Sequence, residues 1–383
     1  MGIDSEILRS GLVRDPDFVY DDLMQEGASR TFSHAYAASL RLPPRPPRLV
    51  YLDLLHWISL AKAHCGHGDG ARYKDVLEAC VAAVDEGRAV FPISDAIYME
   101  VTKIGPYRQR RDLAEVIEHV SGYRVITSRV VIAEHEVESL LDRVVGPNRV
   151  PIHPMDYLDW GVARAFGKVG GFRIRSTTTG EDLTGDARAR HPRGPEDFDR
   201  KLAKAELELN RSSLRGPTPE EEPSLRELGW HPKAAFEITT TRATQEIEQV
   251  QRFNANPAWR RGRIRDVIAA REIGIEINNI LWSGLSARSV SLEAAFPDPA
   301  ETFRQFDSMP SFDVSVSLKT EFHRDPLHNW TPNDLLDIDA LSSTLPYCDI
   351  VLTDKAAAHA ARSVATRFHA TVLSDIMELP ELL

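Results

Sequence analysis

The sequence predicts an α/β fold, a three-layer α/β/α domain with a central, mainly parallel sheet, interrupted by a mainly helical insertion. Three observations lead there. Short apolar, β-prone runs alternate with helix-period segments between about 48 and 149, and the same alternation returns from about 323 to the C-terminus. Between these parts the chain is dominated by long polar helices and by segments rich in Gly and Pro. Finally, acids recur where strands hand over to helices.

In chain order, residues 1–47 read as a helical extension that ends in the stiff, proline-rich "LRLPPRPPR". The first strand is "LVYLD", followed by the helices "LLHWISLAKAHCG" and "YKDVLEACVAAVDEG", the latter closed by Gly87. "RAVFPIS" is a second strand, and Ser94 or Asp95 caps a helix that carries Glu100. "RRDLAEVIEHVSG" is a helix, "YRVITS" a third strand and "AEHEVESLLDRVVG" a helix. In the insertion, taken as 150–322, "HPMDYLDWGVARAFGKVGG" reads as helical. "RSTTTGEDLTGDARARHPRGPEDFD" and "RSSLRGPTPEEEPSLRELGWHP" read as loops, and "RGRIRDVIAAREIGIEINNILWSG" as one helix. From 323 onward, "TPNDLLDIDALSST" starts a helix with Thr331 as cap, Pro332 at the first helical position and Asp334 in the first turn. "CDIVLTD" is a strand, "KAAAHAARSVA" a helix and "ATVLSD" a last strand.

Net charge is −11, so any contact with nucleic acid needs local basic patches or metal ions that offset carboxylates. The run "AWRRGRIRDVIAAR" supplies one such patch in Arg260, Arg261, Arg263 and Arg265, with Arg261 and Arg265 expected on a shared helix face. Three cysteines without CxxC spacing argue against a disulfide framework or a cysteine-rich zinc site and suit a reducing cytoplasm. No apolar run is long enough to span a membrane, and the first residues lack the apolar core of a signal peptide. His64, Cys65 and His67 fall in a Gly-rich loop, His323 and His328 read as surface-loop histidines, and Trp57 and Trp282 read as core. No nucleophile elbow, P-loop or GxGxxG motif is present.

In a parallel sheet, C-terminal strand ends and adjacent helix starts share one rim. Asp53, Glu100, Asp334, Asp337 and Asp354 would gather there. Two unit charges about 4 Å apart repel by roughly 4 kcal/mol at an effective dielectric of 20, so a cluster of this kind calls for a cation. Hard oxygen ligands suit Mg²⁺ or Mn²⁺, which also bind phosphate oxygens.

"VYLDLLHWISLA", "FPISDAIYMEV", "TPNDLLDIDAL" and "CDIVLTDKAA" resemble, in order, the four acidic motifs of PIN-domain nucleases, and "ATVLSD" is similar to the short last strand of that fold. The resemblance covers about 48–135 and 325–380 and leaves the insertion outside it. It implies a metal-dependent nuclease, an endoribonuclease first, in which a metal-activated water cleaves the phosphodiester to leave 5′-phosphate and 3′-hydroxyl ends. It also implies a possible homodimer. It assigns Asp53, Glu100 and Asp354 as acids and Thr353 as the hydroxyl beside the last of them. The third acid stays open among Asp334, Asp337 and Asp339, of which Asp339 points away from the other two. The alternatives are a degenerate PIN-like module that binds nucleic acid or a partner, and a structure-specific DNA nuclease.

Overall fold

The structure, a computed structural model, describes residues 40–41, 47–149, 152, 155–168, 171–229, 231 and 234–383. The helical extension and most of the proline-rich linker expected over 1–47 lie outside the described residues. The fold is mixed α/β and built on a parallel sheet. Strand β1 (Arg48–Leu52) pairs in parallel with β2 (Ala89–Val90) on one side and with β5 (Ile350–Leu352) on the other, and β5 pairs in parallel with β6 (Thr371–Leu373). Beyond β2 the sheet continues through Ile93, which bridges β3 (Arg124–Ile126) in parallel, and β3 pairs antiparallel with β4 (Leu158–Trp160).

β1 therefore lies inside the sheet. The chain leaves it towards β2 and β3, then returns about three hundred residues later on its other flank. That change of direction makes the crevice at the C-terminal ends of β1 and β5 a topological switch point. The apolar run of β1 is buried from Leu49 to Leu52 because the hydrophobic cluster covers both faces of the sheet there.

The helices of the first part are α1 (Leu54–His64), α2 (Lys74–Asp85), α3 (Asp95–Val101), α4 (Tyr107–Ser121) and α5 (Arg129–Val144). Between α1 and α2 the Gly-rich stretch with His67 forms a short 3-10 turn. A Cβ at Gly70 would stand 2.2 Å from the Lys62 carbonyl, so only glycine fits this close approach.

The middle of the chain forms α6 (Pro195–Arg215), α7 (Ala234–Ala255), α8 (Ile264–Ile275) and α9 (Asn278–Arg288). It departs from expectation in several places. Residues expected to be helical around 155–160 form strands, because "LDW" completes the edge beside β3. α6 runs through Arg211–Arg215, which read as loop, and a short helix covers Glu222–Glu227. The single long helix expected after Arg261 is two helices that break at Glu276–Ile277. Trp282, expected in the core, is 47% exposed, whereas Trp57 is fully buried.

α10 (Pro310–Arg324), α11 (Pro332–Thr344) and α12 (Lys355–Ala365) complete the fold. One hydrophobic cluster surrounds the sheet. A second joins α5 to the middle of the chain through Val137, Leu141, Ile268, Leu285, Phe306 and Val316. α7 and α10 both pack on α11. Between them lies a buried ionic network. The Lys319 ammonium, 1% exposed, reaches Glu272 at 2.6 Å, Glu246 at 3.6 Å and Glu276 at 3.7 Å. Arg129 and Arg242 both bind Asp339, and Arg271 binds Glu246. Each buried charge here has an opposite partner, as burial requires.

Candidate active site

Asp53 follows β1 and caps α1, and Asp354 follows β5 and caps α12. Because the two strands are neighbours, the Asp53 amide bonds the Leu352 carbonyl at 2.9 Å and the two acids share the switch-point crevice. One Asp53 oxygen accepts from the Leu54 amide at 2.6 Å, and the other faces the Thr353 hydroxyl at 3.5 Å. Asp354 accepts from the amides of Ala356 and Ala357 at 2.6 and 2.9 Å. These are the unpaired amides of a helix start, where a carboxylate is also favoured by the dipole. His56 ties the two strand ends together through the Thr353 carbonyl at 3.2 Å.

Glu100 enters from α3, for which Ser94 is the cap residue. Its carboxylate lies 3.5 Å from the Lys103 ammonium. Lys103 in turn donates to the Asn333 side-chain oxygen at 2.9 Å. The three remaining candidates all lie on α11, and their surroundings differ. Asp334 closes a capping box: one of its oxygens accepts from the Thr331 amide and hydroxyl at 2.6 and 2.9 Å. The same oxygen lies 3.5 Å from His328 Nε2. Asp337 lies one turn on, in the middle of α11. Asp339 is held by Arg129 and Arg242, which keep it below the usual carboxylate range against the effect of burial.

The electrostatics show which acids share a field. Asp53 is pushed up to about 7, chiefly by burial, then by the charges of Glu100 and Asp354. Asp337 is pushed up to about 9 by burial and by Asp53, Glu100, Asp354 and Asp334. Burial raises Glu100 as well, and Lys103 opposes that rise. Asp53, Glu100, Asp337 and Asp354 thus act on one another's charge, and Asp334 acts on Asp337. This is the signature of carboxylates brought together without enough positive charge among them.

The donor set fits a hard divalent cation: all its atoms are carboxylate oxygens, and three of its members, Asp53, Glu100 and Asp337, hold protons more tightly than usual, chiefly because they are buried. Among the described residues, no three His, Cys, Asp or Glu side chains stand close enough to form a ready-made metal cage. The oxygens are instead turned towards helix amides, Thr331 and Lys103.

Other sequence-derived candidates fall elsewhere. Asp349 accepts from the Leu49 amide at 2.9 Å and serves the sheet. Asp95 is the first residue of α3 rather than its cap; it bonds the Ala96 amide and faces the Asp339–Arg129 side. His323, read as a surface-loop residue, is fully buried on α10 and bonds Glu246 at 2.9 Å. The arginine run does not form one helix face. A short helical turn ends at Arg260, Gly262 takes φ +113°, and α8 begins only at Ile264. Arg265 is bound to Asp307 and Asp313 at 2.6 and 2.7 Å, and Arg260 donates to the His323 carbonyl. Arg261 and Arg263 are exposed, the latter 3.4 Å from Asp266.

Sequence reasoning passes over Lys103 and Asn333. Their signals are the spacing of three residues from Glu100 and the place beside Asp334 in "TPND". Among the described residues, no helix is long and apolar enough to cross a membrane, and Cys65, Cys80 and Cys348 are free thiols. Compared with known proteins, the chain matches no family model, no curated protein and no solved structure.

Proposed function

We propose that this protein is a metal-dependent nuclease, an endoribonuclease first, that hydrolyses phosphodiester bonds at the crevice between β1 and β5. The observation that carries the reading is the meeting of Asp53, Glu100, Asp337 and Asp354 in one shared field at the switch point. The four stretches that resemble PIN-domain motifs supply these acids, and three of them begin on or beside strands of the parallel sheet.

Asp53, Glu100, Asp337 and Asp354 would hold Mg²⁺ or Mn²⁺, with Asp334 at the margin. When bound, the ion supplies the positive charge that polarises a phosphodiester and makes water a nucleophile at neutral pH. The protein's own groups prepare for this. Helix-start amides fix Asp53 and Asp354 in place, and the Thr353 hydroxyl holds the second Asp53 oxygen. Asp337 keeps a proton at neutral pH until a positive charge displaces it. Lys103 offsets part of the negative charge that a phosphate meets on approach. Of the arginine run, Arg261 and Arg263 are the members left at the surface to meet a phosphate backbone.

The test is cleavage of labelled RNA and of flapped DNA with Mn²⁺, by wild type and by Asp53→Asn. Loss of RNA cleavage in the variant is expected. Equal activity of the two proteins removes the mechanism, and cleavage of flapped DNA alone moves the substrate to DNA. A site that no longer works would show neither cleavage nor a rise in Tm with Mn²⁺.

A further inference from the structure

Lys103 is held by three separate parts of the chain at the edge of the acid cluster. Its ammonium is 3.5 Å from Glu100, 2.9 Å from the Asn333 side-chain oxygen and 5.9 Å from the centre of the Phe236 ring. Glu100 belongs to α3, Asn333 to the first turn of α11 and Phe236 to the first turns of α7. The middle segment therefore brings an aromatic ring to the Lys103 ammonium.

Phe236 is 42% exposed and joins neither hydrophobic cluster of the described residues. Ile238, two residues on, is 66% exposed. A large aromatic ring left in water beside a cation contributes little to packing, and it offers a face on which a base can stack. The cation beside it suits a phosphate. The separation between ammonium and ring is within the reach of one nucleotide.

We propose that Lys103 and Phe236 seat one nucleotide of the substrate next to the acids, the ammonium on its phosphate and the ring against its unpaired base. This rests on the nuclease reading for its location, and it adds a specificity-determining residue from the middle of the chain. A paired base cannot lie on the ring without leaving its stack, so the seat selects an unpaired nucleotide at this position.

The experiment measures binding by fluorescence anisotropy and cleavage separately. A short labelled single-stranded RNA, the same strand with one abasic site moved along it, and the matching duplex are titrated in Ca²⁺. Phe236→Ala is expected to weaken single-strand binding by about tenfold, the size of one lost stack, with Tm unchanged and with Phe236→Trp restoring it. One abasic position should lose the same factor in wild type and nothing further in Phe236→Ala. Lys103→Met should weaken binding and flatten its salt dependence. Duplex binding should not change in Phe236→Ala. Unaltered single-strand binding by Phe236→Ala, or an equal loss on duplex, overturns the proposal. Binding that depends on Phe236 without any cleavage in Mn²⁺ upholds the seat and sinks the nuclease reading. Cleavage by a Phe236→Ala variant with unchanged KM sinks the seat alone.

Discussion

Replacing Asp337 by Asn should stabilise the metal-free protein, and the gain should grow with pH. The Asp337 carboxyl is raised from 3.8 to about 9 in the folded state. A carboxyl raised in this way gives its full relative stability below the unfolded value and loses it as pH rises through the folded one. At pH 7 the folded protein still holds a proton that the unfolded chain has released. At 1.36 kcal/mol per unit, this costs about 4 kcal/mol as a ceiling. Asp53, raised to about 7, shares the same field, so protons redistribute and about 2 kcal/mol is the practical expectation. Asn fills nearly the same volume and carries no charge. Thermal or urea unfolding of both proteins in EDTA, from pH 4.5 to pH 8.5, checks this. The curves should nearly coincide at the acid end and separate by a few degrees in Tm above pH 7, with Asn the more stable. Adding Mn²⁺ at pH 8 should narrow or reverse the difference, since the cation stabilises wild type more. A gap that does not depend on pH, or a variant less stable than wild type at pH 8 without metal, refutes the claim that Asp337 sits in a field of uncompensated carboxylates.

Asp53→Asn should lose RNA cleavage in Mn²⁺ while gaining a smaller apo stability over the window from about pH 4 to pH 7, read by the same unfolding curves. Mn²⁺ binding should release protons below pH 9 and tighten as pH rises from 7, which calorimetry in buffers of different ionisation enthalpy would detect; binding without proton release would contradict a protonated Asp337. Lys319→Met should destabilise the fold by about 3–5 kcal/mol, because Glu272 and Glu246 stay buried and lose their ammonium, and denaturant titration reads this. Gly70→Ala should cost roughly 2 kcal/mol or more through the clash with the Lys62 carbonyl, and an unchanged urea midpoint would show that the turn can move aside.

The strand–acid–helix junctions are legible in the sequence because each is local. A short apolar run ends, a capping acid follows, and helical periodicity begins, all within a few residues. The place of Asp334 at the helix start is legible too. "TPND" is the spacing of a capping box, and a carboxylate oxygen engaged by Thr331 is less available for anything else. What stays hidden depends on distant partners. "LDW" is too short to show alternation, and it becomes a strand only because β3 needs a neighbour. His323 reads as a polar residue near a loop, and its burial follows from Glu246, far away in sequence. The shared face expected for Arg261 and Arg265 fails because Gly262 lets the backbone take a positive φ that ends the helical turn.

The buried network and the acid cluster are linked through the rotation of one helix. On α11, Asp337 and Asp339 are two residues apart, which places them about 200° apart around the helix axis. Asp339 is held by Arg129 from α5 and Arg242 from α7. Turning α11 enough to withdraw Asp337 from the acids would pull Asp339 off both arginines and leave buried charges unpaired, which is strongly unfavourable. The capping box at Thr331 fixes the start of the same helix. Lys103 and Asn333 tie that start to α3. The middle of the chain, which carries none of the clustered acids, therefore helps to hold one of them in place. Its ionic contact with α11, from Arg242 to Asp339, supplies a restraint that keeps Asp337 buried beside the charges of Asp53, Glu100 and Asp354.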